Sequence, residues 1–166
     1  MRESLYILLP PLFIIAGYTE MKQRRIPNWL TLSGMLIALW GALLIGGGGG
    51  LKQAALGLAI GGGAFLPFCL AGALGGGDLK LMAAVGAVLG YPLVLWALHY
   101  TVLAGGVLAI VYLLWTGQLL AYLVRMCRWL AGKREAAGEG LSKRPTLPFG
   151  LAIAAGTVWA ILMTGG

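Results

Sequence analysis

Charge is scarce in this sequence. Charged residues make up 10% of its 166 positions, against about 25% in ordinary soluble domains, so a water-soluble fold is excluded. Acids are scarcer still: Asp78 is the only aspartate, accompanied by Glu3, Glu20, Glu135 and Glu139. Metal-assisted phosphoryl transfer usually draws on several acids, and no Gly-Lys-Ser/Thr phosphate loop occurs, which leaves a lipid-phosphate enzyme poorly supported. The single histidine, His99, lies inside an apolar run and reads as a hydrogen-bonded interior residue. Ser4, Ser33 and Ser142 have no base nearby in sequence, so a serine mechanism compares poorly. Zinc would need more His and Cys ligands than exist. Cys69 and Cys127 are isolated, with no C-x-x-C pair, and read as a packing residue and a free thiol. No metal and no cofactor is expected.

Apolar residues and glycine fill the space that charge leaves. Hydrophobic residues make up 60% of the chain and 28 positions are glycine, with a mean hydropathy of +0.89. Glycine is enriched in membrane helices, where small residues let backbones approach. The composition predicts an all-α, polytopic membrane helical bundle of about six passes. Residues 1–166 are expected to form a single membrane domain. Gly57-x-x-x-Gly61 and Gly86-x-x-x-Gly90 carry a helix-contact spacing, a weak motif in a chain this rich in glycine.

The passes follow from the apolar runs. The first is 5–19, interrupted by Pro10-Pro11; no A-x-A-like site follows it, and Lys22, Arg24 and Arg25 lie on its far side, so it reads as a retained helix with its N-terminus outside. Residues 20–27 form a polar hinge, where Pro27 disfavours helix before it and suits the first turn after it. The second pass is 29–45, with Trp29 as an interface anchor; the glycines 46–50 form a loop, and the third pass is 54–74. Between 79 and 115 there is room for two passes, with the bend at Gly90-Tyr91-Pro92 or, alternatively, near Gly105-Gly106. The first choice makes the fourth pass short, which is tolerable if protein rather than lipid surrounds it. Residues 118–147 are basic; Arg125 and Arg128 share one face that would rest on anionic headgroups, or the stretch is a solvated loop. The sixth pass is 148–163.

Lysine and arginine orient this arrangement. Lys22, Arg24, Arg25, Lys80 and the six cations of 118–147 fall on one side, leaving Arg2 and Lys52 on the other. The positive-inside rule makes the first side cytoplasmic. The formal net charge of +7 is thereby explained by topology, and nucleic-acid binding is not expected.

Glu20 and Asp78 consequently both stand at the cytoplasmic membrane boundary. A carboxylate there is costly and marks a functional site by default. Gly75, Gly76 and Gly77 before Asp78 suggest non-helical backbone or something packed very close. Two carboxylates close together share a proton, so one acts as acid while its partner serves as base. Such a pair activates water for attack on a peptide carbonyl and protonates the departing amine. Each acid also has a structural reading: Glu20 as an ion pair with Lys22, Arg24 or Arg25, and Asp78 as a bridge to Lys80. Lys80 either tunes the pair's charge or anchors the interface. Transporter sites usually lie mid-membrane rather than at one boundary.

Three stretches carry a family resemblance: Arg24-Arg25-Ile26-Pro27-Asn28-Trp29-Leu30-Thr31, Gly75-Gly76-Gly77-Asp78-Leu79-Lys80-Leu81, and Pro148-Phe149-Gly150. In these the chain resembles the type IV prepilin peptidases, membrane aspartyl proteases of the GxGD class. The resemblance implies a bacterial inner-membrane enzyme with its active site facing the cytoplasm. Its second catalytic aspartate falls on Asp78, and its first, six residues before the isoleucine of Ile-Pro-Asn, falls on Glu20. Here the chain departs from the family, since glutamate keeps the carboxylate but adds a methylene. Gly75, Gly77, Lys80, Pro27 and Asn28 are implied as substrate-binding or site-shaping positions. The paired C-x-x-C motifs that larger members carry in a methyltransferase segment are absent from these 166 residues, so the chain looks like the short, peptidase-only form linked to Flp or tight-adherence pili. The implied partner is a prepilin or pseudopilin with a short basic leader, a glycine at the cut and then an apolar helix in the bilayer. The alternative, motivated by Glu20, is a pilus-assembly factor that binds prepilin without cutting it.

Overall fold

The computed structural model describes residues 2–23, 26–71, 74–117 and 149–164. Arg24, Arg25, the basic stretch 118–147 with Cys127, and Pro148 lie outside the described residues. Among those described the chain is all-α. A 3-10 turn over Arg2–Leu8 leads into α1 (Leu9–Gln23), followed by α2 (Asn28–Leu70), α3 (Gly76–Leu89), α4 (Leu93–Trp115) and α5 (Phe149–Thr164). By length and composition α2 and α4 are candidates to cross a membrane. The chain divides into two compact units, Met1–Gly105 with Pro148–Gly166, and Gly106–Leu147. In the second unit α4 ends where the Thr116 amide and hydroxyl both donate to the Tyr112 carbonyl, and Gly117 takes a positive φ of 66°.

Local chemistry sets the breaks in the first unit. Pro10 and Pro11 sit in the first turn of α1, where a missing N–H leaves no intrahelical bond unmade. Pro27 holds extended backbone (φ −68°, ψ 137°) as the N-cap of α2. Within α2 only Gly47 leaves helical geometry, at φ 57° and ψ −149°, a region essentially reserved for glycine. There the chain reverses: a Cβ on Gly50 would strike the Ala42 carbonyl, whereas eight residues of continuous helix would separate them by about 12 Å. Helix α2 is therefore two arms, 28–46 and 48–70. The expected turn at 46–50 is present, but as a single non-helical residue rather than a five-residue loop. The second arm ends at Leu70, short of the expected Leu74. Gly90 (φ 66°) ends α3, and α4 runs unbroken through Gly105-Gly106, so the bend falls at Gly90-Tyr91-Pro92 and the alternative near Gly105 is excluded.

Helix α3 is the centre of this unit. Leu81 to Leu89 are all buried, so a helix of only 14 residues is surrounded by protein. It lies between the two arms of α2. A Cβ on Gly34 would come within 3.8 Å of the Ala84 methyl on one side. On the other, Cβ atoms on Gly57 and Gly86 would each strike the other's carbonyl, and one on Gly61 would lie 2.6 Å from the Met82 oxygen. The Gly57/Gly61 and Gly86/Gly90 spacings, weak as motifs, are thus backbone-to-backbone contacts. The Tyr91 amide donates to the Gln53 carbonyl at 3.1 Å, tying the end of α3 to the second arm. Helix α5 packs on the first half of α4, with Gly156 against Thr101 and Phe149 against Gly105.

Small residues such as Ala38, Ala42, Ala54, Ala84, Ala87 and Ala97 share the interior with Phe65, Leu81, Met82, Leu89 and Ile153, while Ile7, Ile14, Trp29, Trp40, Leu44 and Trp159 are exposed. Large apolar side chains turned outward suit a lipid surround, and the small ones inside let the helices approach closely. His99 lies on this exposed surface, edge-on to Trp96 and Tyr100, which corrects the interior position expected for it. Cys69 is a half-buried free thiol.

A methyl group between α3 and the second arm has nowhere to go. Gly57→Ala or Gly86→Ala is expected to cost about 1–3 kcal/mol, read as a lowered thermal unfolding midpoint in detergent. Gly63→Ala, at a helical position with open space around it, is the matched control and should leave the midpoint unchanged or raise it.

Candidate active site

The last turns of α1 carry Tyr18, Thr19, Glu20 and Lys22. The Thr19 hydroxyl donates back to the Ile15 carbonyl at 2.8 Å, and Lys22 turns to Tyr18, its ammonium 5.7 Å from the ring centroid and 3.5 Å from the hydroxyl. Among the described residues Glu20 forms no ion pair. Its carboxylate reaches instead to the N-terminus of α5, where the Phe149 and Gly150 backbone amides face it. Oε2 is buried without an aligned hydrogen-bond partner, so the amides approach it as dipoles rather than as well-formed donors. Contact with Gly150 is so close that a Cβ there would fall on Oε2, within 3.4 Å of Cδ and 3.7 Å of the Leu81 side chain.

The first turn of α3 holds the other acid. Gly75 is the N-cap and Asp78 the third helical residue. The Asp78 amide donates to the Gly75 carbonyl at 3.1 Å, and its carboxylate lies beside Gly75, whose amide faces it. An acid at this position places a negative group at the positive end of the helix. Gly76 and Gly77 are helical rather than irregular. Of the expected reasons for the glycines, close packing holds at Gly77, where a Cβ would lie 3.1 Å from the Ile26 Cβ. Gly76 faces open space, and Gly75 lies beside the Asp78 carboxylate.

The two matched stretches are therefore joined. Gly77 rests on Ile26, and the Lys80 ammonium donates to the Asn28 side-chain oxygen at 2.9 Å across 52 positions of sequence. Lys80 does not bridge to Asp78, so the simple ion-pair reading of Asp78 lapses; Lys22 does not pair with Glu20 either, while Arg24 and Arg25 lie outside the described residues. Pro27 stands between these contacts as the N-cap of α2. Glu20 and Asp78 come near enough for the charge of Asp78 to act on Glu20, and Leu81, one turn beyond Asp78, lines the same space as Glu20 and Gly150. No group of three or more His, Cys, Asp or Glu able to hold a metal occurs among the described residues.

The family profile described as the type IV leader peptidase family matches residues 7–130. The chain belongs to the type IV leader peptidase family. It is thereby a membrane protease of the aspartic type, from a family that removes prepilin leaders. No curated protein and no solved structure matches it. In this leader peptidase both carboxylates and both of the joined stretches lie inside the matched region, whereas Phe149 and Gly150 lie beyond it. The sequence singled out Pro148-Phe149-Gly150 but gave it no task; what marks it is a glycine opening a helix against a carboxylate, which only the fold reveals.

Adjacency of the two stretches can be tested in the leader peptidase without a substrate. With Cys69 and Cys127 replaced by alanine, Ile26→Cys with Gly77→Cys is expected to form a disulfide on mild oxidation, since the separation of 3.1 Å needs only slight relaxation to reach the usual ~3.8 Å between Cβ atoms. Intact mass under non-reducing conditions should show the loss of two hydrogens. Two thiols that stay free would contradict the contact.

Proposed function

We propose that this leader peptidase cuts its prepilin with Glu20 and Asp78 as the acid–base pair. One observation carries the reading: two carboxylates from segments 58 positions apart share one end of the helices, with the described lysines two positions from each, Lys22 and Lys80, engaged elsewhere. With one carboxyl protonated and one ionised, the ionised group takes a proton from water as the water oxygen bonds to the scissile carbonyl carbon. The protonated group then gives its proton to the leaving nitrogen as the C–N bond breaks. No covalent intermediate is required.

The helix directions favour six passes, with the two arms of α2 as the second and third and the protein-wrapped α3 as the fourth. Lysine and arginine then put the acids at the cytoplasmic face of the inner membrane. We read residues 1–166 as one peptidase domain of the short Flp or tight-adherence type. The substrate keeps its apolar helix in lipid while its basic leader stays in the cytoplasm, with the cut after the glycine between them. Open space over Gly76 suits an extended strand passing beside Asp78, and Asn28 and Lys80 brace that approach. A non-cleaving assembly factor is the second reading, favoured only by glutamate standing at position 20.

Co-expression with a Flp-type prepilin separates the two. Asp78→Asn and Glu20→Gln are each expected to abolish processing while the membrane level of the protein holds, and Glu20→Asp should preserve or raise it. Undiminished processing by Asp78→Asn would overturn the assignment, and binding without product in every variant, wild type included, would favour the assembly factor.

A further inference from the structure

Glutamate at position 20 reaches one methylene further than aspartate, and the structure shows where that extra length goes. The carboxylate lies against the first residues of α5, and Gly150 has no side chain at the point where Oε2 rests. We propose that Gly150 is a positioning residue for the longer acid: its bare backbone forms the floor that fixes the Glu20 carboxylate in front of Asp78. The inference rests on the peptidase reading for its catalytic consequence, but not for its geometry.

Three observations converge on it. A Cβ on Gly150 would collide with Glu20 Oε2 first, approach its Cδ at 3.4 Å next, and only graze Leu81 at 3.7 Å. The atom in the way is thus the free end of a flexible side chain, not backbone, so the helix can stay in place while the carboxylate moves. Oε2 has no aligned partner to hold it, so among the described residues the floor and the facing amides of Phe149 and Gly150 fix its position. Phe149 keeps the N-terminus of α5 where it is, packed edge-on against Phe65 with centroids 5.8 Å apart and seated on Gly105. Contrast Gly156, where a Cβ would strike the Thr101 backbone and the helix itself would have to shift.

Residue 150 and the length of the acid at residue 20 are therefore coupled. Gly150→Ala should displace Glu20 toward the open side of the site while the protein folds and extracts normally. An aspartate at position 20, which stops short of the floor, should be indifferent to the same methyl. Coupling of this kind is what a merely structural glycine would not show.

Two readouts on the purified full chain in detergent test this. For cleavage of a Flp-type prepilin, Gly150→Ala should lower kcat by about 100-fold in the Glu20 protein, the scale of a misplacement of ~1 Å, but by less than about threefold in the Glu20→Asp background, since contacts that no longer touch add independently. Equal losses in both backgrounds, or no loss in the Glu20 protein, would overturn the proposal. The second readout needs no activity: the rate at which dicyclohexylcarbodiimide labels Glu20, located by mass spectrometry, should rise several-fold in Gly150→Ala as the carboxylate leaves its floor. An unchanged rate would overturn the proposal even if the chain cuts prepilin. A raised rate in a chain that cuts nothing would support the floor and count against the peptidase reading alone.

Discussion

Backbone contact between α3 and the second arm of α2 sets everything else. Gly57, Gly61 and Gly86 bring the two helices so close that no side chain fits between them, and Leu81 to Leu89 are sealed off as a result. A helix of 14 residues is too short to face lipid alone. Wrapped in protein, it becomes a rigid post that presents its N-terminus, and therefore Asp78, at one end of the helices. In a bilayer no hydrophobic drive would pull two helices together, so contact of this kind, through van der Waals packing at small residues, is the means available.

Each acid stands at the start of a helix, but not in the same way. Asp78 stands in the first turn of its own helix, α3, with the Gly75 amide facing its carboxylate. Glu20 comes from the end of α1 and borrows the start of α5. Two positive helix ends thus converge on a site that holds two carboxylates, which eases the burial of negative charge, and among the described residues neither acid is in an ion pair. A Glu20–lysine or Asp78–lysine bridge would have neutralised one of them. The cations nearest in sequence are instead committed to Tyr18 and Asn28.

Much of this was legible before any coordinates. The all-α character, the break at Pro27, the reversal at the glycine run and the placing of Glu20 and Asp78 near enough to feel each other's charge follow from where polarity and glycine interrupt apolar sequence. Contacts that depend on three dimensions were not legible. Nothing in the order of residues says that Lys80 chooses Asn28 over Asp78, two positions away. Gly47 alone breaks α2 because its four glycine neighbours keep helical backbone, and composition cannot tell five glycines apart. His99 was expected inside because it sits in an apolar run, yet the buried positions of α4 are the small ones, Val94, Ala97, Thr101 and Gly105, and the run turns its bulkier side chains outward. Gly150 was visible only as part of a motif, since its meaning lies in the side chain it leaves room for.

The central claim is that Glu20 and Asp78 together form a working hydrolytic pair. Its most direct test is incubation of the purified protein in detergent with a Flp-type prepilin, followed by mass spectrometry of both fragments. The expected result is a single new pair of termini immediately after the glycine that precedes the apolar helix, formed by the wild type and by neither Glu20→Gln nor Asp78→Asn. An intact prepilin after prolonged incubation, or cleavage that survives loss of either carboxylate, would contradict it.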